Sequence, residues 1–79
     1  MRAAKLSNRM LTTGKSILRA IRDETTGGYA WFDNEYLKMF DGCTPNLIKH
    51  PGNSEYYNAV FTRYGEIIGI ILPVRVSEW

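Results

Sequence analysis

The 79-residue chain has one cysteine, one histidine and three prolines, and its first 22 residues hold no acid. Each scarcity excludes something. Cys43 has no second cysteine for an internal disulfide, and one Cys with one His cannot complete a four-ligand structural zinc site. Stability must then come from tight packing or from another chain, because a single core in so short a domain is only marginally stabilising. No apolar run approaches the roughly eighteen residues of a membrane-spanning helix. No repeat or low-complexity tract is evident. One domain, 1–79, is expected, with little room for a substrate cavity.

What is present is unevenly distributed. Hydrophobic content of 44% with 23% charged residues is ordinary for a globular domain and argues against disorder. The net charge of +2 divides into +6 over residues 1–22 (Arg2, Lys5, Arg9, Lys15, Arg19, Arg22) and −4 over the remainder. Such asymmetry points to a nucleic-acid, membrane or acidic-protein partner rather than to a fold.

At 100° per residue, Leu6, Met10, Leu11, Ile17, Leu18 and Ile21 share an arc of roughly 140°, and the six cations occupy the opposing arc. This spacing predicts a basic amphipathic helix over 1–24. Its weak point is Thr12-Thr13-Gly14, where poor helix formers invite a break, with Thr13 or Ser16 capping a second piece. The helix is expected to end at Asp23-Glu24 and the Thr25–Gly28 run. The same composition describes an organellar transit peptide. A membrane-surface helix would want aromatic anchors, which this segment lacks. The plainest reading is an apolar stripe laid on a sheet, with the basic face in water.

After Gly27-Gly28 the period changes to two, and residues 29–76 read as an antiparallel sheet. Tyr29–Phe32 and Tyr36–Phe40 flank Asp33-Asn34-Glu35 as a hairpin. The alternative is a short helix from Asn34 to Phe40, with Asp33 as N-cap and Leu37 and Phe40 facing inward. Thr44–Lys49 is a further strand, placed near an edge by Pro45. His50–Ser54 reads as a loop. Tyr56–Thr62 and Ile67–Leu72 form a hairpin around Arg63–Glu66, where Gly65 supplies positive φ. Because Ile67–Leu72 is apolar on both faces, it is expected to be central in the sheet. Gly69 suggests a bulge or the close approach of the helix backbone, and Pro73 ends the ladder. Trp79 must dock on the body or serve a partner. The expected fold is α+β, an N-terminal amphipathic helix packed on a four- or five-stranded antiparallel sheet.

Catalytic patterns are thin. Thr13-Gly14-Lys15-Ser16 is similar to the end of a phosphate-binding loop, but Arg9 stands where the first glycine belongs and no strand precedes it. Cys43, His50 and Asp41 (or Asn46) are the residue types of a nucleophile, base and orienter, yet three such types within ten positions are common. Asp33, Glu35 and Asp41 could gather at one sheet end and hold Mg²⁺ with phosphates, although they read more simply as solvated turn acids. No cofactor or metal is expected, and the chain reads as non-enzymatic. The ten aromatics exceed what one helix on one sheet buries, and the remainder suits a protein-binding surface or a base-stacking platform. No glycine–aromatic motif of RNA-recognition type accompanies them.

Gly69-Ile70-Ile71-Leu72-Pro73-Val74-Arg75-Val76 resembles the closing strand of bacterial DNA sliding clamps, which end in an apolar run followed by Pro-x-Arg and an aliphatic residue. Trp31–Leu37 and Phe40-Asp41-Gly42 are loosely similar to segments of the same clamp repeat. The resemblance covers at most some fifty residues and implies a helix packed on an antiparallel sheet, one half-unit of a clamp domain. It implies no site residue.

Together these readings lead to a small cytoplasmic binding protein that works by occupying the surface of a protein or protein–nucleic-acid complex. An inhibitor of a host system carried by a phage or mobile element, of the anti-CRISPR kind, has this size and character. The alternatives are a nucleic-acid-binding module using the basic face, or a clamp-like accessory protein. Contact residues are expected among Arg9, Lys15, Arg19, Arg22, Trp31, Asp33, Glu35 and Tyr36. No membrane partner is expected, and the missing staples point to tight packing or self-association.

Overall fold

Thr12-Thr13-Gly14, the weak point of the expected helix, is where the chain turns back on itself. In the computed structural model, which describes residues 2–50 and 53–76 and their side chains except at 50 and 53–56, β1 (Arg2–Thr13) and β2 (Ser16–Asp23) form an antiparallel hairpin. Thr13 pairs with Ser16, and Gly14 takes φ +54° in the turn. The expected N-terminal helix is therefore overturned: the protein is a predominantly antiparallel sheet with one short helical segment. The reason lies in a bulge. Leu6 faces Ile21 and Met10 faces Arg19, so β1 advances four residues while β2 advances two. The inserted Ser7-Asn8-Arg9 turns strand alternation into an i, i+4 spacing that imitates a helix.

Six strands follow the order β3-β2-β1-β4-β5-β6, curved into a half-barrel. β3 is Tyr29–Asp33, β4 Thr44–His50, β5 Asn53–Arg63 and β6 Glu66–Ile71. Between β3 and β4 the chain forms α1 (Asn34–Leu37) and a 3₁₀ turn (Lys38–Phe40). The hairpin reading of 29–40 is thus corrected to the short helix. Asp33 caps it by accepting from the Glu35 N–H at 2.9 Å. Two further expectations change. β4 is interior, and Pro45 is tolerated because β1 pairs with β4 only at Arg2↔Leu47 and Ala3↔Asn46, leaving no ladder partner for Pro45 on that side. β6 is an edge strand, not a central one.

The concave face holds the core: Ala4, Ile21, Phe32, Leu47, Ala59, Phe61 and Ile71, closed over by Leu37, with Phe40 packed against the same cluster. The β5–β6 hairpin stands as expected, with a two-residue turn in which Tyr64 and Gly65 take φ +53° and +81°. Beyond β6, the Val74 N–H reaches the Trp31 carbonyl at 2.8 Å and so covers part of the β3 edge. Trp79 lies outside the described residues. Among the described residues no helix is long and apolar enough to cross a membrane.

One buried charge ties this architecture together. Asp23 is 3% exposed. It accepts from Arg2 at 2.9 Å and from the Thr25 and Thr26 N–H groups at 2.8 and 3.3 Å. Burial pushes its carboxyl up, but Arg2 and the two amides outweigh this and hold it below the ordinary value of 3.8. Because the folded value is depressed, the stabilisation is present above the unfolded pKa and is lost as pH falls through the folded one. Asp23→Asn should lower the thermal midpoint at pH 7, and the gap to wild type should close between about pH 5 and about pH 2. Thermal unfolding followed by circular dichroism checks this. A gap that stays constant across that range would remove Asp23 from the acid response.

Candidate interaction surface

The expected basic face disperses once the segment is a hairpin. Arg2 is held by Asp23, while Glu24 lies 2.9 Å from Arg22 and 3.9 Å from Lys5. Arg19 donates to the Ser7 carbonyl at 2.7 Å and braces the β1 bulge. Arg9, inside that bulge, lies over the Tyr29 ring at 4.7 Å. Lys15 sits exposed in the β1–β2 turn. The six cations therefore share no single face, and the first acids after them neutralise part of their charge.

The remaining expected contact residues lie around α1. Trp31 is half-buried on β3, Asp33 is the helix cap, and Glu35 pairs with Lys38 at 3.1 Å. Tyr36 is 56% exposed. The acids Asp33 and Glu35 are thus engaged locally, and among the described residues no group of three or more His, Cys, Asp or Glu side chains could hold a metal. Thr13–Ser16 is a hairpin turn rather than the start of a helix. Cys43 and the backbone of His50 stand at opposite ends of β4, roughly 20 Å apart by strand rise. The nucleophile–base pairing is not assembled; the His50 side chain lies outside the described residues.

Two recesses flank the helical segment. The larger, 610 Å³, runs beneath it toward β1 and mixes an apolar floor (Leu6, Leu37, Phe61) with Lys5, Arg19, Lys38 and Asp41 at its walls. The smaller, 380 Å³, lies along β6 and is lined by Tyr36, Met39, Phe40, Ile70, Ile71 and Leu72, with no charged side chain. Its geometry is set by Phe40. That ring stacks on Phe61 with centroids 4.7 Å apart and planes 7° from parallel, and it lies against Gly69, where any Cβ would collide with it. The close approach at Gly69 is that of the Phe40 ring rather than of a helix backbone, and a bulge in β6 lies beside it.

Anchored by Phe40, the helix turns Tyr36 and Met39 outward beside the edge strand. Met39 is 73% exposed, and Ile67, Ile68, Ile70 and Leu72 are each more than half exposed. Residues of this kind in succession normally face a core. Here they stand in solvent along the sheet edge, Ile70 and Leu72 sharing a groove with Tyr36 and Met39, and exposed apolar patches mark interaction sites. The exposed residues that sequence reasoning missed are these aliphatics of β6, with Leu72 and Met39. Their signal was the two-faced apolar run, which was assigned to a buried strand.

The division of labour within the helix is measurable. Phe40→Ala should cost about 3 kcal/mol through lost stacking and a cavity. Met39→Ala and Tyr36→Ala should each stay within about 0.5 kcal/mol. Urea unfolding checks both, and the reverse ranking would mean that the helix presents its other side. Compared with known proteins, the chain matches no family model, no curated protein and no solved structure.

Proposed function

We propose that this protein works by protein–protein contact, through the apolar surface built from β6 and the outward side of α1 and the 3₁₀ turn. One observation carries the reading: an edge strand whose aliphatic residues Ile67, Ile68 and Ile70 stand in solvent, with Leu72 just beyond its end. An exposed edge offers unpaired backbone N–H and C=O groups, so a partner strand gains main-chain hydrogen bonds and apolar burial together. The groove lined by Tyr36, Met39 and Phe40 supplies a place for that strand's side chains. An inhibitor that covers another protein's working surface is the narrower form of the same reading.

The nucleic-acid alternative draws on the six N-terminal cations, three of which are engaged by Asp23 and Glu24. Capture from lysate separates the two. With the immobilised protein as bait, captured protein should survive nuclease and a change from about 50 to about 200 mM salt, whereas six phosphate contacts would lose on the order of a thousand-fold in affinity over that range. The same capture should be lost in Ile70→Lys and retained in Arg19→Glu. Loss on nuclease treatment, or indifference to Ile70→Lys, would reject the surface.

A further inference from the structure

We infer that the occupant of this surface is a second copy of the chain, with β6 pairing antiparallel to its counterpart about a two-fold axis at Ile70; the inference rests on the surface reading above. Each neighbouring pair in the sheet is antiparallel, so a symmetric pairing at β6 continues the existing order. Among the described residues no backbone hydrogen bond joins the outer side of β6 to another element, whereas the opposite edge, β3, receives the Val74 N–H.

The edge carries one bulge, between Ile67 and Gly69, and lacks the other features that keep strands apart. Between Ile67 and Leu72 there is no lysine, no proline and no charge of either sign. A two-fold axis at Ile70 sets Ile70 against its own counterpart and Ile68 against Leu72, so the exposed aliphatics meet aliphatics. The Gly69 position then opposes Ile71, which leaves space where two β-branched side chains would otherwise meet.

Area supports the same occupant. The exposed surface of Ile67, Ile68, Ile70, Leu72, Tyr36 and Met39 comes to roughly 700 Å² per copy, close to the about 800 Å² per partner of a stable interface. Met39 and Tyr36 flank the strand, so a copy seated on β6 also fills the groove beside it. A single small core with no disulfide gains stability from such an assembly.

Sedimentation velocity of the full chain, across a concentration series, tests this with two variants. Wild type should sediment as a dimer. Ile70→Lys, which places two like charges face to face at the axis, should weaken association on the order of a hundred-fold while keeping the sheet spectrum by circular dichroism. In a Cys43→Ser background, Ile70→Cys should form a disulfide-linked dimer on mild oxidation, because directly opposed residues hold their Cβ atoms about 4.5–5.5 Å apart. Glu66→Cys in the same background should not. This second variant decides the matter even if Ile70→Lys fails to fold.

A wild type that remains monomeric at all concentrations, or an Ile70→Cys variant no more readily linked than Glu66→Cys, overturns self-pairing. If that monomer still captures a lysate protein and loses it in Ile70→Lys, the surface stands with a different occupant. If capture is unchanged by Ile70→Lys, both readings fall.

Discussion

A one-sheet protein must cover its concave face with something, and here that cover is seven residues long. Everything around it depends on the contact of the Phe40 ring with Phe61 and Gly69. The stack fixes where the 3₁₀ turn sits, the turn fixes the direction of α1, and Asp33 caps α1 at the point where β3 ends. With Phe40 and Leu37 directed inward, helical geometry leaves Tyr36 and Met39 directed outward beside β6. The interior packing and the exposed apolar surface are consequently two sides of one short segment. A side chain larger than glycine at 69 would disturb both.

Among the described residues Asp23 is the one buried charged residue, and its partners gather around it. Asp23 receives Arg2 and two turn amides, and the Arg2 guanidinium also lies 5.6 Å from the centre of the Tyr57 ring. Three strands that are not all neighbours in the sheet, β1, β2 and β5, meet through this one side-chain cluster. A buried carboxylate stripped of its partners would be costly, so the cluster rewards the arrangement in which all of them are present. It also engages one of the six N-terminal cations, Arg2.

The sequence was most legible where strand alternation ran undisturbed. Tyr56–Thr62 and Ile67–Leu72 showed their hairpin because Gly65 marks the turn between two apolar runs. The capped helix at 34–40 was visible as an alternative, since Asp33 followed by Leu37 and Phe40 fits one inward face. The N-terminal hairpin was hidden by Ser7-Asn8-Arg9, which leaves Leu6 and Met10 four residues apart with no apolar residue between them, a spacing that a helix shares. Asp23 was visible only as the first acid after six cations, and its burial depends on a tertiary neighbour. The placement of β6 failed for a different reason. Local pattern equates two-faced apolarity with burial inside one chain, and places where such consistent rules fail are where a protein's working surface is expected.

The seam between β1 and β4 carries a consequence for how the molecule forms. Every other neighbour pair in the sheet is a connection between consecutive strands, and so assembles from nearby segments. β1 and β4 meet at two residue pairs alone, Arg2↔Leu47 and Ala3↔Asn46, which lie roughly 45 positions apart in the chain. Two local meanders, β1–β2–β3 and β4–β5–β6, form independently of this long loop, and their docking closes it. Docking of the two meanders brings Tyr57 of β5 to an Arg2 that Asp23 already holds within the β1–β2 hairpin.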